Sequence, residues 1–209
     1  IAATAFDDSS SNSYAGIIDK TTLSFTTADN TSPTVSGVKT LMADMDYKAG
    51  WELFITATFS ESVYVSTTEG TPTIELETGA TDRTAIYSGG STTSSLSFIY
   101  TVQAGDTASD LDYTSTSALS LNGGTIKDSA GNNAILTLAS PGASGSLGAN
   151  NAVIIDTTAP SVPTSLTTTS TITNDNTPTI TGTADPDMSV ELFDGSTSLG
   201  TDVVDSSGN

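Results

Sequence analysis

The sequence predicts an all-β fold made of two-sheet β-sandwich modules that follow one another along the chain. Short segments in which apolar and polar residues alternate recur through the 209 residues, and a two-residue period is typical of strands with one buried face. Glycine-rich breaks separate these segments, as turns separate antiparallel strands. A proline-containing motif also occurs twice, which indicates repeated modules. The expected architecture is a tandem, rod-like array.

The central part of the chain contains the most regular alternation. It holds roughly eight or nine strand-like segments in about 125 residues, a density typical of a two-sheet sandwich. Two segments each place four apolar residues on one strand face, namely Leu53, Ile55, Ala57 and Phe59, and then Leu96, Phe98, Tyr100 and Val102. The other predicted strands are residues 63–65, 73–76, 84–87, 118–121, 135–138 and 153–155. Residues 104–111 could form a short helical turn.

Two copies of an Asp-to-Pro motif mark the expected module boundaries. Asp29–Pro33 is similar to Asp156–Pro160, and each copy lies between an apolar strand-like segment and a new run of alternation. Proline stiffens such a short linker. We therefore predict three parts: residues 1–32 are the last strands of a preceding module with its linker, residues 33–159 are a complete module, and residues 160–209 begin a following module.

A second repeated motif is a five-residue turn that starts with Asp and ends with Asn. Aspartate can fold an Asx-turn, and glycine or asparagine tolerates a positive φ. The three copies are Asp8–Asn12, Asp128–Asn132 and Asp205–Asn209. The first two precede a junction, so they should be the turns before the final strands of a module.

The third part continues the same style of sequence. Residues 178–184 and 189–193 are predicted strands, and Asp194 with Gly195 suits a hairpin-like turn. Residues 164–173 would fit a strand or a linker equally well.

Charge and composition exclude several classes of function. The chain has 24 acidic and 5 basic residues, a net charge of −19. Such a protein repels nucleic acids and disfavours anionic membranes, and no run of about 18 apolar residues is present for membrane insertion. The absence of Cys and His excludes disulfides, thiol or histidine metal sites, and catalysis by Ser-His-Asp or Cys-His groups. We therefore expect no enzyme, no nucleic-acid partner and no membrane insertion.

Several motifs of the central module resemble the repeat named after the swimming-motility surface proteins of cyanobacteria. They occur in order at residues 47–50, 55–63, 100–106, 110–113 and 124–132, and the resemblance covers about residues 33–156. Trp51 departs from the family, which usually has Asp at this position. Residues 1–35 and 160–209, the latter through Asn176–Asp185, are similar to bacterial immunoglobulin-like modules of giant adhesins and biofilm proteins.

The resemblance implies an array of immunoglobulin-like modules that forms an extracellular stalk at a bacterial cell surface, often stiffened by Ca²⁺. The first residues, Ile1–Phe6, lack the basic and long apolar regions of a signal peptide. The chain should therefore be an interior segment of a longer surface or filament protein.

Calcium is the expected cofactor because it binds carboxylate, carbonyl and amide oxygens. Three groups of oxygen-bearing side chains are candidates for structural sites. The first lies before the strand 53–59, the second lies in the turn near the module end, and the third joins the second junction to the next module. Their members are Asp44 and Asp46; Asp128 and Asn132; and Asp156 with Asp175, Asp185 or Asp187.

Three functions remain open at the level of sequence. The first is a spacer whose partners are the neighbouring modules of the same chain. The second is a module that binds a glycan or a protein receptor, for which Trp51 with Tyr47 and Tyr64 could offer a stacking platform, although packing of Trp51 at the sandwich end is the favoured interpretation. The third is self-assembly, in which copies of the chain complete each other's half-modules by strand exchange.

Overall fold

The computed structural model describes residues 10–11, 28–168, 174, 177 and 179–209. The fold is all-β, with curled antiparallel sheets. The chain divides between Ile155 and Asp156 into two compact units. The apolar, strand-like segment before the first junction, residues 23–25, lies outside the described residues. The three-part division of the chain stays a prediction.

Nine strands, one short helix and a tenth strand follow one another in the first unit. They are β1 Val35–Thr40, β2 Asp46–Tyr47, β3 Glu52–Ser66, β4 Thr73–Leu76, β5 Arg83–Gly89, β6 Thr93–Thr101, β7 Thr107–Ala108, β8 Leu119–Ser120, β9 Thr125–Lys127, α1 Leu147–Asn150 and β10 Ile154–Asp156. The main sheet has the order β1-β3-β6-β5-β4-β8, and β9 pairs with the far end of β3. A smaller sheet has the order β2-β10-β7.

Strand β3 is longer than the sequence predicts, because residues 53–59 and 63–65 form one strand. Its first part pairs with β1 and β6, and its last residues pair with β9. The polar residues at 60–62 do not end the strand, since the backbone N–H of Ser60 donates to the Thr34 carbonyl at 2.8 Å. The shift in register between Thr58 and Val63 accommodates this segment in the pairing with β6.

The core lies under the inward faces of β3 and β6. All eight apolar residues that the alternation assigns to one face of these two strands are buried, which confirms that prediction. The neighbouring residue Phe54 points the other way and is 45% exposed. Alternation identifies the inward face because successive side chains of a strand point to opposite sides of the sheet.

Two expectations about local structure are wrong. Residues 104–111 do not form a helical turn: Gly105 has a φ of 93°, which a right-handed helix does not allow, and β7 follows. Residues 135–138 are not a strand, since Ile135 makes only an isolated bridge to Thr34. The helix lies instead in the glycine-rich stretch 142–148 and beyond, where the Ser146 side chain caps α1 by accepting the N–H of Ala149 at 3.2 Å.

The second unit contains four strands among its described residues: β11 Thr164–Thr168, β12 Ile180–Thr183, β13 Ser189–Asp194 and β14 Thr197–Val203. Strand β11 pairs antiparallel with β12, and β13 pairs antiparallel with β14. The hairpin turn at Asp194 and Gly195 is confirmed, with Gly195 at a φ of 61°. The ambiguous segment 164–173 is a strand as far as Thr168, and residues 169–173 lie outside the described part.

Candidate cation site at the linker

The turn Asp128–Asn132 follows β9 and is closed by its own backbone and by one carboxylate. The N–H of Asp128 donates to the Asn132 carbonyl at 3.1 Å, and the N–H of Gly131 donates to the Asp128 carbonyl at 3.3 Å. The N–H of Asn132 donates to Asp128 Oδ1 at 2.8 Å. Gly131 has a φ of 95°, a conformation that glycine adopts without a steric penalty.

The turn Asp205–Asn209 of the second unit repeats this arrangement. The N–H of Asp205 donates to the Asn209 carbonyl at 2.9 Å, and the N–H of Gly208 donates to the Asp205 carbonyl at 3.0 Å. Asn209 N–H donates to Asp205 Oδ1 at 2.9 Å, and Gly208 has a φ of 88°. The two sequence motifs are therefore the same structural element. Most of the third copy, at Asp8–Asn12, lies outside the described residues.

The two junction motifs also share one local structure. Asp29 Oδ1 accepts the N–H of Thr31 at 2.9 Å, and Asp156 Oδ1 accepts the N–H of Thr158 at 2.8 Å. Each aspartate therefore forms an Asx-turn at the start of its linker, as expected for an aspartate that bonds the backbone two residues later.

Three carboxylates converge where the first linker meets the turn Asp128–Asn132. Asp29 comes from the linker, Glu61 from β3 and Asp128 from the turn, and each offers an oxygen within 4.8 Å of the others. Asp29 is exposed, Glu61 is partly buried and Asp128 is buried. We call these three residues the linker cluster. Three carboxylates this close together could supply part of the set of six to eight oxygens that a hard cation such as Ca²⁺ takes.

The charges in the linker cluster affect one another. Burial, followed by the negative charges of Asp29 and Asp128, raises the pKa of Glu61 above its ordinary value. Burial also acts to raise the pKa of Asp128, but hydrogen bonds from the side chain and backbone of Asn132 and from the backbone of Ala130 and Gly131 outweigh it and lower that pKa. Asp128 therefore stays ionised, and its negative charge contributes to the raised pKa of Glu61.

Asn132 orients the Asp128 carboxylate from the side of the linker. Its Nδ2 donates to Asp128 Oδ2 at 2.7 Å and to the Asp29 carbonyl at 3.0 Å, and the Thr31 carbonyl lies 3.4 Å from the same nitrogen. In this arrangement the amide nitrogen, rather than the amide oxygen, faces the linker.

Of the linker cluster, the sequence predicted only Asp128 as a ligand, and it predicted neither Asp29 nor Glu61 as a partner. One signal was available: Glu61 has the same parity along β3 as the buried residues Phe59 and Val63. An acidic residue at a core-facing position of a strand is unusual, and here it points towards other carboxylates.

The other predicted ligands lie apart from the linker cluster. Asp44 Oδ1 accepts the N–H of Ala152 at 3.1 Å, and Asp46 pairs with Ile154 in the small sheet. Asp185 Oδ2 accepts the N–H of Ser161 at 2.7 Å, and Asp187 is exposed with a φ of 62°. Asp175 lies outside the described residues. Among the described residues, the linker cluster is the one group of three acidic side chains with mutually close oxygens.

The aromatic residues named above do not form a stacking platform together. Tyr47 is buried and meets Trp51 edge-on, with ring centroids 5.6 Å apart, so Tyr47 is not available to a ligand. Trp51 is 39% exposed. This contact agrees with packing of Trp51 against the end of the module.

No helix in the described part of the chain is long and apolar enough to cross a membrane. A scan of protein-family models gave no match to this chain, and searches of curated proteins and of solved structures gave none either. The class of protein is therefore defined by the structure alone. It is an all-β protein with two units, and each unit has its own copy of the same linker motif and of the same turn.

Proposed function

We propose that the chain is a structural spacer of a long extracellular protein at a bacterial cell surface, with immunoglobulin-like sandwich modules joined by short folded linkers. The observation that carries this proposal is the repetition of the linker and the turn in both units. A spacer is built by repeating one module, so the same hydrogen bonds should recur at the same places of successive units.

Further equivalences between the two units support the proposal. The residue after the junction proline is held in the same way in both: the N–H of Thr34 donates to Ser60 Oγ at 3.0 Å, and the N–H of Ser161 donates to Asp185 Oδ2 at 2.7 Å. In each unit the first strand pairs antiparallel with the strand on or next to which this acceptor lies: β1 pairs with β3, which contains Ser60, and β11 pairs with β12, which ends two residues before Asp185. The acceptors differ in chemistry and in their exact place on the strand, but both hold the N–H of the residue after the proline.

Small-angle scattering together with a glycan array tests the spacer function. We expect the chain of 209 residues to be monomeric and elongated in solution, and to show no saturable glycan binding, since a spacer separates a receptor-binding segment from the cell. A compact particle or a specific glycan ligand would favour the receptor-binding alternative. A concentration-dependent dimer would favour self-assembly.

We further propose that the linker cluster binds Ca²⁺ and that the ion stiffens the junction. Asp29, Glu61 and Asp128 supply oxygens from the linker, a strand and a turn, and waters or backbone carbonyls would complete the six to eight ligands that calcium takes. A cation would offset both the burial of Glu61 and the repulsion from Asp29 and Asp128, which together raise its pKa. It would thereby join the linker to the module.

Calcium is expected to raise the melting temperature of the protein, and Glu61→Gln is expected to remove this increase. In EDTA the same substitution should raise the melting temperature at neutral pH. The sign follows from the raised pKa of Glu61: the folded state holds this proton more tightly than the unfolded state, so the associated stability is present below about pH 4.3 and is lost as the pH rises through the folded pKa. A neutral amide keeps the stability at all pH values.

The measurement is thermal unfolding with EDTA and with Ca²⁺, for the wild type, Glu61→Gln and Glu69→Gln. Glu69 is an exposed residue shortly after β3, so its amide variant controls for the loss of one negative charge. An ion present at 100 times its Kd adds about 2.7 kcal/mol of stability. An unchanged wild-type melting temperature would contradict the calcium proposal and leave the spacer proposal standing.

A further inference from the structure

The first linker, which begins at Asp29, is hydrogen-bonded to the module that follows it. Pro33 is buried, and its carbonyl accepts the N–H of Ile135 at 2.8 Å. The Thr34 carbonyl accepts the N–H of Ser60 at 2.8 Å, while the Thr34 N–H is held by Ser60 Oγ. Both polar groups of the Thr34 backbone therefore bond to one residue of β3.

Asn132 completes this attachment at the other end of the linker. A single amide group, Nδ2, lies within hydrogen-bond distance of the carbonyls of Asp29 and Thr31 and of Asp128 Oδ2. The backbone of Asn132 is itself held by Asp128 Oδ1. The position of this amide is thus set by the turn, and the amide in turn sets the position of the linker.

We propose that Asn132 is a positioning residue that locks residues 29–34 onto the module, so that each linker folds with the module after it. Residues 29–34 then belong to the following module and do not act as a hinge. This places residues 29–32 with the following module, four residues earlier than the boundary expected from the proline. The bonds from Asn132 to the linker are made to two neutral backbone carbonyls, so we expect them to form with or without the proposed calcium ion.

The second unit contains the elements of the same device. Its compact part begins at Asp156, directly at the start of the linker, and Ser161 is held by Asp185. The turn Asp205–Asn209 presents an asparagine at the position that Asn132 has in the first unit. The lock should therefore be a property of the repeat and not of one junction.

The test is amide hydrogen exchange followed by NMR on the full chain, with Asn132→Ala compared with Asn133→Ala. Asn133 is the neighbouring residue of the same type, and it is exposed. We expect exchange at Thr31, Thr34 and Ile135 to become about tenfold faster in Asn132→Ala, as for the loss of one or two ordinary hydrogen bonds. Exchange in β6 should not change.

Two outcomes would overturn the proposal. Linker amides that exchange in Asn132→Ala as they do in Asn133→Ala would show that Asn132 does not hold the linker. Equal acceleration in the linker and in β6 would show a global loss of stability rather than a local lock. Running the experiment in EDTA and in Ca²⁺ separates the lock from the ion, because the proposed difference persists in EDTA.

Two further variants keep the proposal testable if Asn132→Ala does not fold. Ser60→Ala removes the side-chain acceptor of Thr34 and should accelerate exchange at Thr34 about tenfold. Asp185→Ala should do the same at Ser161 in the second unit, with Asp194→Ala at the exposed hairpin as its control. No acceleration in either variant would contradict the lock.

Discussion

Replacing Asp106 with alanine is expected to lower the free energy of unfolding of the first unit by about 3–5 kcal/mol. Asp106 is 1% exposed, and its carboxylate accepts hydrogen bonds from at least three groups. Its Oδ1 accepts Arg83 Nε at 2.8 Å, and its Oδ2 accepts the Tyr100 hydroxyl at 2.7 Å and the backbone N–H of Gln103 at 2.8 Å. Without the carboxylate, these donors lose their acceptor in a place that water reaches poorly, and this is costly.

The same network predicts sensitivity to acid. Burial acts to raise the pKa of Asp106, but hydrogen bonds from Arg83, Gln103 and Tyr100 together with the Arg83 charge lower it below its ordinary value. A lowered carboxyl pKa means that the associated stability is present above the unfolded value of about 3.9 and is lost as the pH falls from there through the folded pKa. Burial and then Asp106 itself raise the pKa of Tyr100, so its hydroxyl stays a donor.

Urea denaturation at neutral pH and at about pH 3 measures both effects, with Asp82→Ala as the control. Asp82 is exposed and precedes Arg83, and exposed substitutions usually change stability by about 0.5 kcal/mol or less. If Asp106→Ala were no less stable than Asp82→Ala, the network would contribute nothing net. If the wild type and Asp106→Ala lost the same stability on acidification, the assignment of the acid response to Asp106 would be wrong.

Replacing Phe98 with alanine is expected to destabilise the first unit by about 3–5 kcal/mol, through lost burial and a cavity in the core. Phe98 is fully buried on β6 and meets Tyr87 edge-on, with ring centroids 5.9 Å apart. Ile55 lies opposite Phe98 on β3 and is also fully buried. The loss of the ring therefore leaves a cavity among packed side chains rather than a gap that water can fill.

Phe54→Ala is the matched control for Phe98→Ala. Phe54 lies next to Ile55 on β3, but its side chain is on the outer face and 45% exposed. We expect its loss to cost about 1 kcal/mol, near the average for substitutions in general. Equal destabilisation in the two variants would mean that the inward face of the sheet is not the core. Urea denaturation monitored by circular dichroism makes the comparison.

Much of the strand architecture could be predicted because its causes are local. The pleat of a strand sends alternate residues to one face, so the eight apolar residues of β3 and β6 identify the core without any knowledge of their neighbours. The turn Asp128–Asn132 and its copy Asp205–Asn209 were recognisable because an aspartate and a glycine at the same spacing form the same hydrogen-bonded turn. Strand β4 has the predicted bounds, Thr73–Leu76, because its alternation is also a local pattern.

Where prediction failed, a distant partner decided the outcome. Residues 135–138 have strand-like alternation, but Ile135 meets only the linker at Thr34, and a strand needs a continuous partner. The helix α1 lies in a stretch where glycines indicated a break, and its last residue is held by β1, because Asn150 Nδ2 donates to the Val38 carbonyl at 2.7 Å. Local pattern defines a preference, and tertiary contacts override it.

The sequence by itself determined an acidic, all-β chain without thiol or imidazole chemistry, with two similar linkers and a repeated turn. Only the tertiary structure decided what these elements do together. Asp29, Glu61 and Asp128 are far apart along the chain, and Asn132 reaches across to the linker that precedes the whole module. Such contacts depend on how the strands pair, and pairing is set by the packing of the core rather than by the sequence near each residue.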